Sequence, residues 1–230
     1  MLQHRKAHER GFDNTIDWLK SFHTFSFANY YDPRYIHFSH LRVMNEDFIA
    51  PNQGFGLHPH KDMEILTYVL SGRVAHQDSM GNKTEVRAGE FQIMSAGSGI
   101  QHAEINPSID EPLHLYQIWV IPNQKGITPR YTQGKFADKQ GATLILSPNA
   151  EEGSFHIYQD MKLWRHQYHA GISSQLNLDS TRNYYLQVTK GSITINQTEL
   201  SQGDGLAVKR ESQLHFTTEK EVEFLLFDLA

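Results

Sequence analysis

The chain breaks into short apolar runs, and none of them carries a helical period. "HLRVM", "EILTYVL", "GEFQIMS", "LHLYQIWVI", "ATLILS", "NYYLQVT", "GSITIN", "GLAVK" and "VEFLLFDL" are each rich in β-branched, aromatic or other apolar residues. Turn formers stand between them: "SMGNK", "RAGE", "PNQKG", "LSPNAEEGS" and "SQGDG". Many short strands at close intervals fold as sandwiches or barrels. The expected fold class is therefore all-β. A length of 230 residues suits one large or two small domains, and 39% hydrophobic residues supply a core.

The two halves repeat a pattern. "TYVLSGRVAHQ", followed by "RAGEFQIMS", has a counterpart in "YLQVTKGSITIN", followed by "LSQGDGLAV". Both read as strand, Gly, strand, turn, Gly beside an acid, strand. Self-similarity of this kind points to a duplicated β-domain. The polar, Gly-rich stretch "NQKGITPRYTQGKFADKQGA", residues 123–142, reads as the linker. The expected domains are residues 1–130 and 131–230.

Charge and composition narrow the partners. A net charge of −5 argues against a general nucleic-acid binder, which needs a basic face. The absence of Cys removes disulfide frameworks and thiolate metal sites, and fits a reducing compartment. The opening "MLQHRKAHERGFDN" has no apolar stretch resembling a signal peptide. No apolar run approaches the roughly 18 residues that span a bilayer. A cytoplasmic protein with no nucleic-acid or membrane partner is expected.

Of the 14 histidines, ten fall in the first 120 residues. His4, His8, His37, His40, His76 and His114 read as surface or hydrogen-bonded structural residues, and His166 and His169 as surface. His58 and His60 differ by their spacing. In a strand, residues two apart share a face, about 6.6 Å apart along the chain. Two imidazoles so placed can meet one metal ion at roughly 2 Å each. A lone His-x-His arises often by chance, but His102 and Glu104 in "GSGIQHAEINPS" form a second pair with the same parity. Glu64 also falls on the parity of His58 and His60, so spacing leaves open which carboxylate joins the imidazoles. Three imidazoles and a carboxylate, without sulfur, suit an open site for Fe(II), Mn, Ni, Cu or Zn. The aromatic group Phe22, Phe25, Phe27, Tyr30 and Tyr31 reads first as packing, with a pocket wall as the alternative.

Together these residues resemble the cupin pattern: His58-x-His60, Glu64 and Gly72, then Gly89 through Gly99 to His102 and Asn106. Within cupins, "WLKSFHTFSFANYYDP", "HPHKDMEILTYVLSG", "HQDSMGN", "GEFQIMSAGSGIQHAE" and "LHLYQIWV" are similar to the pirin family. The likeness covers nearly the whole chain and is densest over residues 18–132. It implies a bicupin of two antiparallel, jelly-roll-like β-barrels, with metal only in the N-terminal one. It implies His58, His60, His102 and Glu104 as the metal ligands, with Glu104 rather than Glu64 as the carboxylate. Fe(II) is the first-choice ion, with Mn, Co, Ni, Cu or Zn as alternatives.

The activity it implies is of the quercetin 2,3-dioxygenase type. A flavonol is cleaved with O₂, CO is released, and Glu104 takes the proton of the substrate hydroxyl. The alternative is a metal-dependent regulatory protein that binds a protein partner without turnover. In the second half, counting back from Gly191, the matching positions hold Asn177, Asp179 and Asn183, and His215 has no partner. The C-terminal barrel is expected to be metal-free.

Overall fold

The computed structural model describes all 230 residues. Its regular structure is 22 strands and two short 3₁₀ turns. The strands of the first half are β1 (Leu2–Arg5), β2 (Gly11–Asp13), β3 (Leu19–His23), β4 (Leu41–Ile49), β5 (Gly54–His60), β6 (Glu64–Ser71), β7 (Arg73–Asp78), β8 (Lys83–Arg87), β9 (Glu90–Ser95), β10 (Ile100–Ile105), β11 (Leu113–Val120) and β12 (Arg130–Lys135). Those of the second half are β13 (Gly141–Ser147), β14 (Phe155–His156), β15 (Met161–Tyr168), β16 (Ser173–Asn177), β17 (Asn183–Lys190), β18 (Ser192–Ile195), β19 (Thr198–Ser201), β20 (Gly205–Lys209), β21 (Gln213–Thr217) and β22 (Val222–Leu229).

The chain separates into two units. One contains residues 11–136 and 157–159, and the other contains residues 1–10, 137–156 and 160–230. A single cut after residue 130 therefore misplaces three segments. Strand β1 belongs with the later unit because it pairs antiparallel with β20, Leu2 opposite Val208 and Arg5 opposite Gly205. Strand β12 lies inside the stretch that reads as a linker, yet pairs with β9 from Arg130 opposite Ser95 to Lys135 opposite Glu90. Its polar residues hide a strand because their partners are polar too. The Tyr131 hydroxyl lies within hydrogen-bond distance of Gln92 Oε1 and Gln133 Oε1, at 2.8 and 2.6 Å.

Each unit holds a seven-stranded and a four-stranded sheet. In the earlier unit the orders are β12-β9-β6-β11-β4-β3-β2 and β5-β10-β7-β8; in the later unit, β1-β20-β17-β22-β15-β13-β14 and β16-β21-β18-β19. The segment β9-β6-β11-β4 returns eleven strands later as β20-β17-β22-β15, and β5-β10-β7-β8 as β16-β21-β18-β19. The repeated sequence pattern is thus a repeated topology. The glycines that mark it do the same job in both. Gly72 (φ +76°) and Gly191 (φ +74°) lie in the left-handed region, against the carbonyls of Pro112 and Glu221. A Cβ would sit 2.9 Å from the first carbonyl oxygen and 2.0 Å from the second, so only glycine fits.

In each unit the core fills the space between the two sheets. Leu19, Ile49, Val69, Leu113 and Leu115 of one sheet meet Val74 and Val86 of the other in the earlier unit. In the later unit Leu186, Leu206 and Phe224 meet Ile193, Leu200 and Phe216. His166, expected at the surface, is part of this interior. It is 4% exposed and stacks on Phe224 with ring centroids 4.6 Å apart. Parity explains the difference: on β15 it shares an inward face with Trp164 and Tyr168, which pack against that core. His169, just past the strand end, is exposed as expected.

Two stability effects follow. Gly191→Ala should destabilise the protein by roughly 1–3 kcal/mol, seen as a lowered Tm; an unchanged Tm contradicts the close approach. Burial pushes the His166 pKa down to about 4, from an ordinary 6.5. The stability of its neutral form is fully present above pH 6.5 and is lost as pH falls through about 4. His166→Phe should flatten part of that acid-side loss in a Tm-against-pH series.

Candidate metal centre

The histidines converge because of strand register. Strand β10 lies between β5 and β7 in the four-stranded sheet. His102 is directly opposite His58 on β5 and Asp78 on β7, and Glu104 is opposite His76. Directly opposed side chains on one face are within contact distance. The ring centroids of His58, His60 and His102 lie 4.4–4.9 Å apart. Each offers a ring nitrogen, and these nitrogens lie within 4.8 Å of one another, as do the ligand atoms of His76, His102 and Glu104. Both groups are in the earlier unit and share His102.

The electrostatics favour neutral rings with free lone pairs. His58 donates from Nδ1 to the Gly56 carbonyl at 2.7 Å. A carbonyl only accepts, so the proton is on Nδ1 and Nε2 keeps its lone pair. Burial, then the neighbouring imidazoles His102 and His58, pushes His60 down to about 4. Burial, with His58 and His76 beside it, pushes His102 down to about 3. His102 is 1% exposed, and neither of its ring nitrogens has a hydrogen-bond partner. A sealed imidazole with both nitrogens unpaired is costly, and a cation among the three rings would satisfy it.

Glu104, 2% exposed, accepts three hydrogen bonds: from Thr67 Oγ1 at 3.1 Å, Gln92 Nε2 at 2.6 Å and Gln117 Nε2 at 2.8 Å. These donors come from the facing sheet and form part of one rung across it. His23 is opposite Asn45, Asn45 opposite Gln117, Gln117 opposite Thr67, Thr67 opposite Gln92, and Gln92 opposite Gln133. The matching rung of the later unit runs Trp164, Leu226, Leu186, Leu206. It is made of leucines and one indole, and has no amide or hydroxyl to hold a carboxylate.

A cavity of about 170 Å³ opens beside the three rings. Phe27, Phe55, Ile65 and Trp119 give it apolar walls, while Asn45, Asp47, Gln117 and Glu104 give it polar ones. Of the aromatic group near the N-terminus, Phe27 reaches this cavity, edge-on to Trp119 at 5.4 Å, while Tyr31 is 74% exposed. Asp47, opposite Ser21 on β3, accepts a hydrogen bond from that hydroxyl. Burial pushes its carboxyl up to about 7, with Glu104 and Glu46 adding to the rise.

The structure brings His58, His60, His102 and Glu104 to one cavity. Glu64 is elsewhere. It is buried, accepts from Ser95 at 2.9 Å, and lies 3.8 Å from Arg130. The bend at Asp62 (φ 50°) breaks the parity with His58 and His60, so Glu64 is on the side opposite Ile65 and Thr67. His76 was legible only as an ordinary histidine. It is 2% exposed, bonds Asp78 at 3.2 Å, and stacks on Tyr131 with centroids 4.3 Å apart. Asn45, Asp47, Gln92 and Gln117 carried no local signal, apart from being polar residues in the middle of apolar strands.

Known proteins place this arrangement. Residues 3–120 match the family model described as Pirin, and residues 144–229 the one described as Quercetinase C-terminal cupin domain. The quercetin 2,3-dioxygenase of Escherichia coli strain K12 is 56% identical over 229 residues, covering 100% of this chain and 99% of the relative. The crystal structure of YhhW from Escherichia coli superposes with a TM-score of 0.97 at 55% identity, covering 100% of this chain and 98% of that one. A nickel(II) complex of bacterial pirin YhhW from the same organism gives 0.96 at 55% identity, with 100% and 99% covered. The chain belongs to the pirin family, and its fold is that of a bicupin.

Proposed function

We propose that this protein is a metal-dependent dioxygenase that cleaves a flavonol such as quercetin with O₂ and releases CO. The observation that carries the reading is the sealed His102 imidazole, unpaired at both nitrogens and facing His58 and His60. His58, His60 and His102 supply three nitrogen ligands, and Glu104 supplies the carboxylate. This sulfur-free donor set fits a divalent ion, with Fe(II) as first choice. The nickel(II) complex of a 55% identical pirin and the quercetin dioxygenase name of a 56% identical relative support it.

Bound there, the ion would acidify a coordinated hydroxyl and give flavonol and O₂ a common site. The rest is work for the protein's own residues. Gly56 fixes the His58 tautomer through its carbonyl. Thr67, Gln92 and Gln117 hold Glu104 in one orientation, from which it takes the proton of the substrate hydroxyl. Phe27, Phe55, Ile65 and Trp119 exclude water and pack against the flavonol rings. The later unit serves as a metal-free partner barrel, in keeping with its apolar rung. The cysteine-free sequence suits a cytoplasmic enzyme.

Metal content gives the first test. The protein should hold about one divalent ion per chain. His58→Ala and His102→Ala should each lose most of it, and His169→Ala should not. Unchanged content in both variants would contradict the ligand assignment.

Turnover gives the second test. With quercetin, the loaded protein should consume O₂, release CO and bleach the flavonol absorbance, and His60→Ala should stop all three. Glu104→Gln should abolish turnover, whereas Glu64→Gln should leave a measurable rate. Quercetin binding without O₂ uptake or CO would instead favour a regulatory protein that acts through a protein partner.

A further inference from the structure

Asp47 is an expensive residue for its position. It lies in β4, a central strand, 3% exposed, on a rung that runs Ser21, Asp47, Leu115, Val69. Leu115 and Val69 belong to the hydrophobic core, as does Ile49, two residues further along β4 on the same face. An apolar side chain here would simply extend that core. The charges that act on the carboxyl are Glu104 and Glu46, both negative, and Ser21 is the neutral donor to one of its oxygens. A carboxyl buried with no Lys or Arg acting on it is costly. Packing gives no return on that cost, but the cavity does, because Asp47 lines it together with His58, His60 and His102. The metal-facing residues come from β5 and β10, whereas Asp47 and Asn45 come from the facing sheet. At about 170 Å³ the cavity is close to the size that encloses a single aromatic ring.

We infer that Asp47 is a specificity-determining anchor: its carboxyl accepts a hydrogen bond from a substrate hydroxyl other than the one held at the histidines. The inference rests on the flavonol reading above. The ligand class it selects is a hydroxylated aromatic ring system with metal-binding oxygens on one side and a further hydroxyl on the other. Asn45 lines the same wall, and its Oδ1 accepts from His23 Nδ1 at 2.8 Å.

The test compares quercetin with 3-hydroxyflavone, which keeps the 3-hydroxyl and the adjacent carbonyl but lacks the other hydroxyls. Affinities are read anaerobically from the flavonol absorbance shift, on metal-loaded wild type and Asp47→Ala. Asp47→Ala should weaken quercetin binding by roughly 10- to 100-fold, and the preference for quercetin over 3-hydroxyflavone should fall by the same factor. Metal content should stay at about one ion per chain. Equal weakening of both flavonols, an unchanged preference, or loss of the ion would each overturn the inference. If Asp47→Ala does not fold, Asp47→Asn keeps the side-chain shape and should still lower the preference several-fold; an unchanged preference overturns it. Wild type that binds quercetin without turnover defeats the dioxygenase reading and leaves the Asp47 comparison intact. Wild type that binds neither flavonol defeats both.

Discussion

A carboxylate sealed from water must be met by hydrogen-bond donors, and much of the earlier unit is arranged to meet one. Glu104 takes none of its donors from its own sheet, where Phe55 and His76 lie opposite it. They come across the interior, from Thr67, Gln92 and Gln117 on three adjacent strands of the facing sheet. This solution demands that three strands be in register to the residue. A slip by one would turn Thr67, Gln92 or Gln117 outward and bring an outward residue in. The core on either side, Val69 and Leu115 towards one end and Ile65 and Met94 towards the other, holds that register. The hydrophobic layers thus do more than bury area. They set the position of a polar band whose partial loss would leave a charge unsatisfied, at about 3–5 kcal/mol.

The same reasoning explains how two units with one topology come to differ. Strand order repeats eleven strands on, and the tight glycines repeat with it. The rung does not. Where the earlier unit has Asn45, Gln117, Thr67 and Gln92, the later one has Trp164, Leu226, Leu186 and Leu206. An ordinary hydrophobic core occupies the place of the polar band, and Leu186 and Leu206 are essentially inaccessible. His166 shows how little a histidine alone means: buried and stacked on Phe224, it has no second imidazole or carboxylate grouped with it.

Part of this was legible in the sequence and part was not. His58 with His60, and His102 with Glu104, announce themselves because period two is local and strand parity survives within each run. The all-β class and the duplication were legible for the same reason, from short runs and repeated turn chemistry. Three things were hidden. The parity of Glu64 could not be counted across the turn at Asp62. Strand β12 was hidden by its polar composition: Gln133 lies opposite Gln92, and Tyr131, though it packs on the core, directs its hydroxyl to Gln92 and Gln133. The residues that support Glu104, and Asp47 and Asn45 beyond them, were hidden because their meaning depends on strands far apart in the chain. An amide in the middle of "EFQIM" or "LYQIW" says only that something polar faces it.

Strands β1 and β12 have a bearing on how the chain is made. Strand β12 follows the earlier unit's other strands in sequence and completes that unit's own sheet, whereas β1 precedes the earlier unit and completes the sheet of the later one. During synthesis β12 can close onto β9 soon after it leaves the ribosome, since the two are close in sequence. β1 is made before its partner β20, with the whole of the earlier unit between them. Residues 1–10 therefore lack their partner strand until β20 has followed. The edge they will cover does not exist until then, and the later unit cannot complete its large sheet from its own contiguous segment. Splitting the gene between the halves would give one product short of an edge strand and another carrying a strand with nothing to pair with.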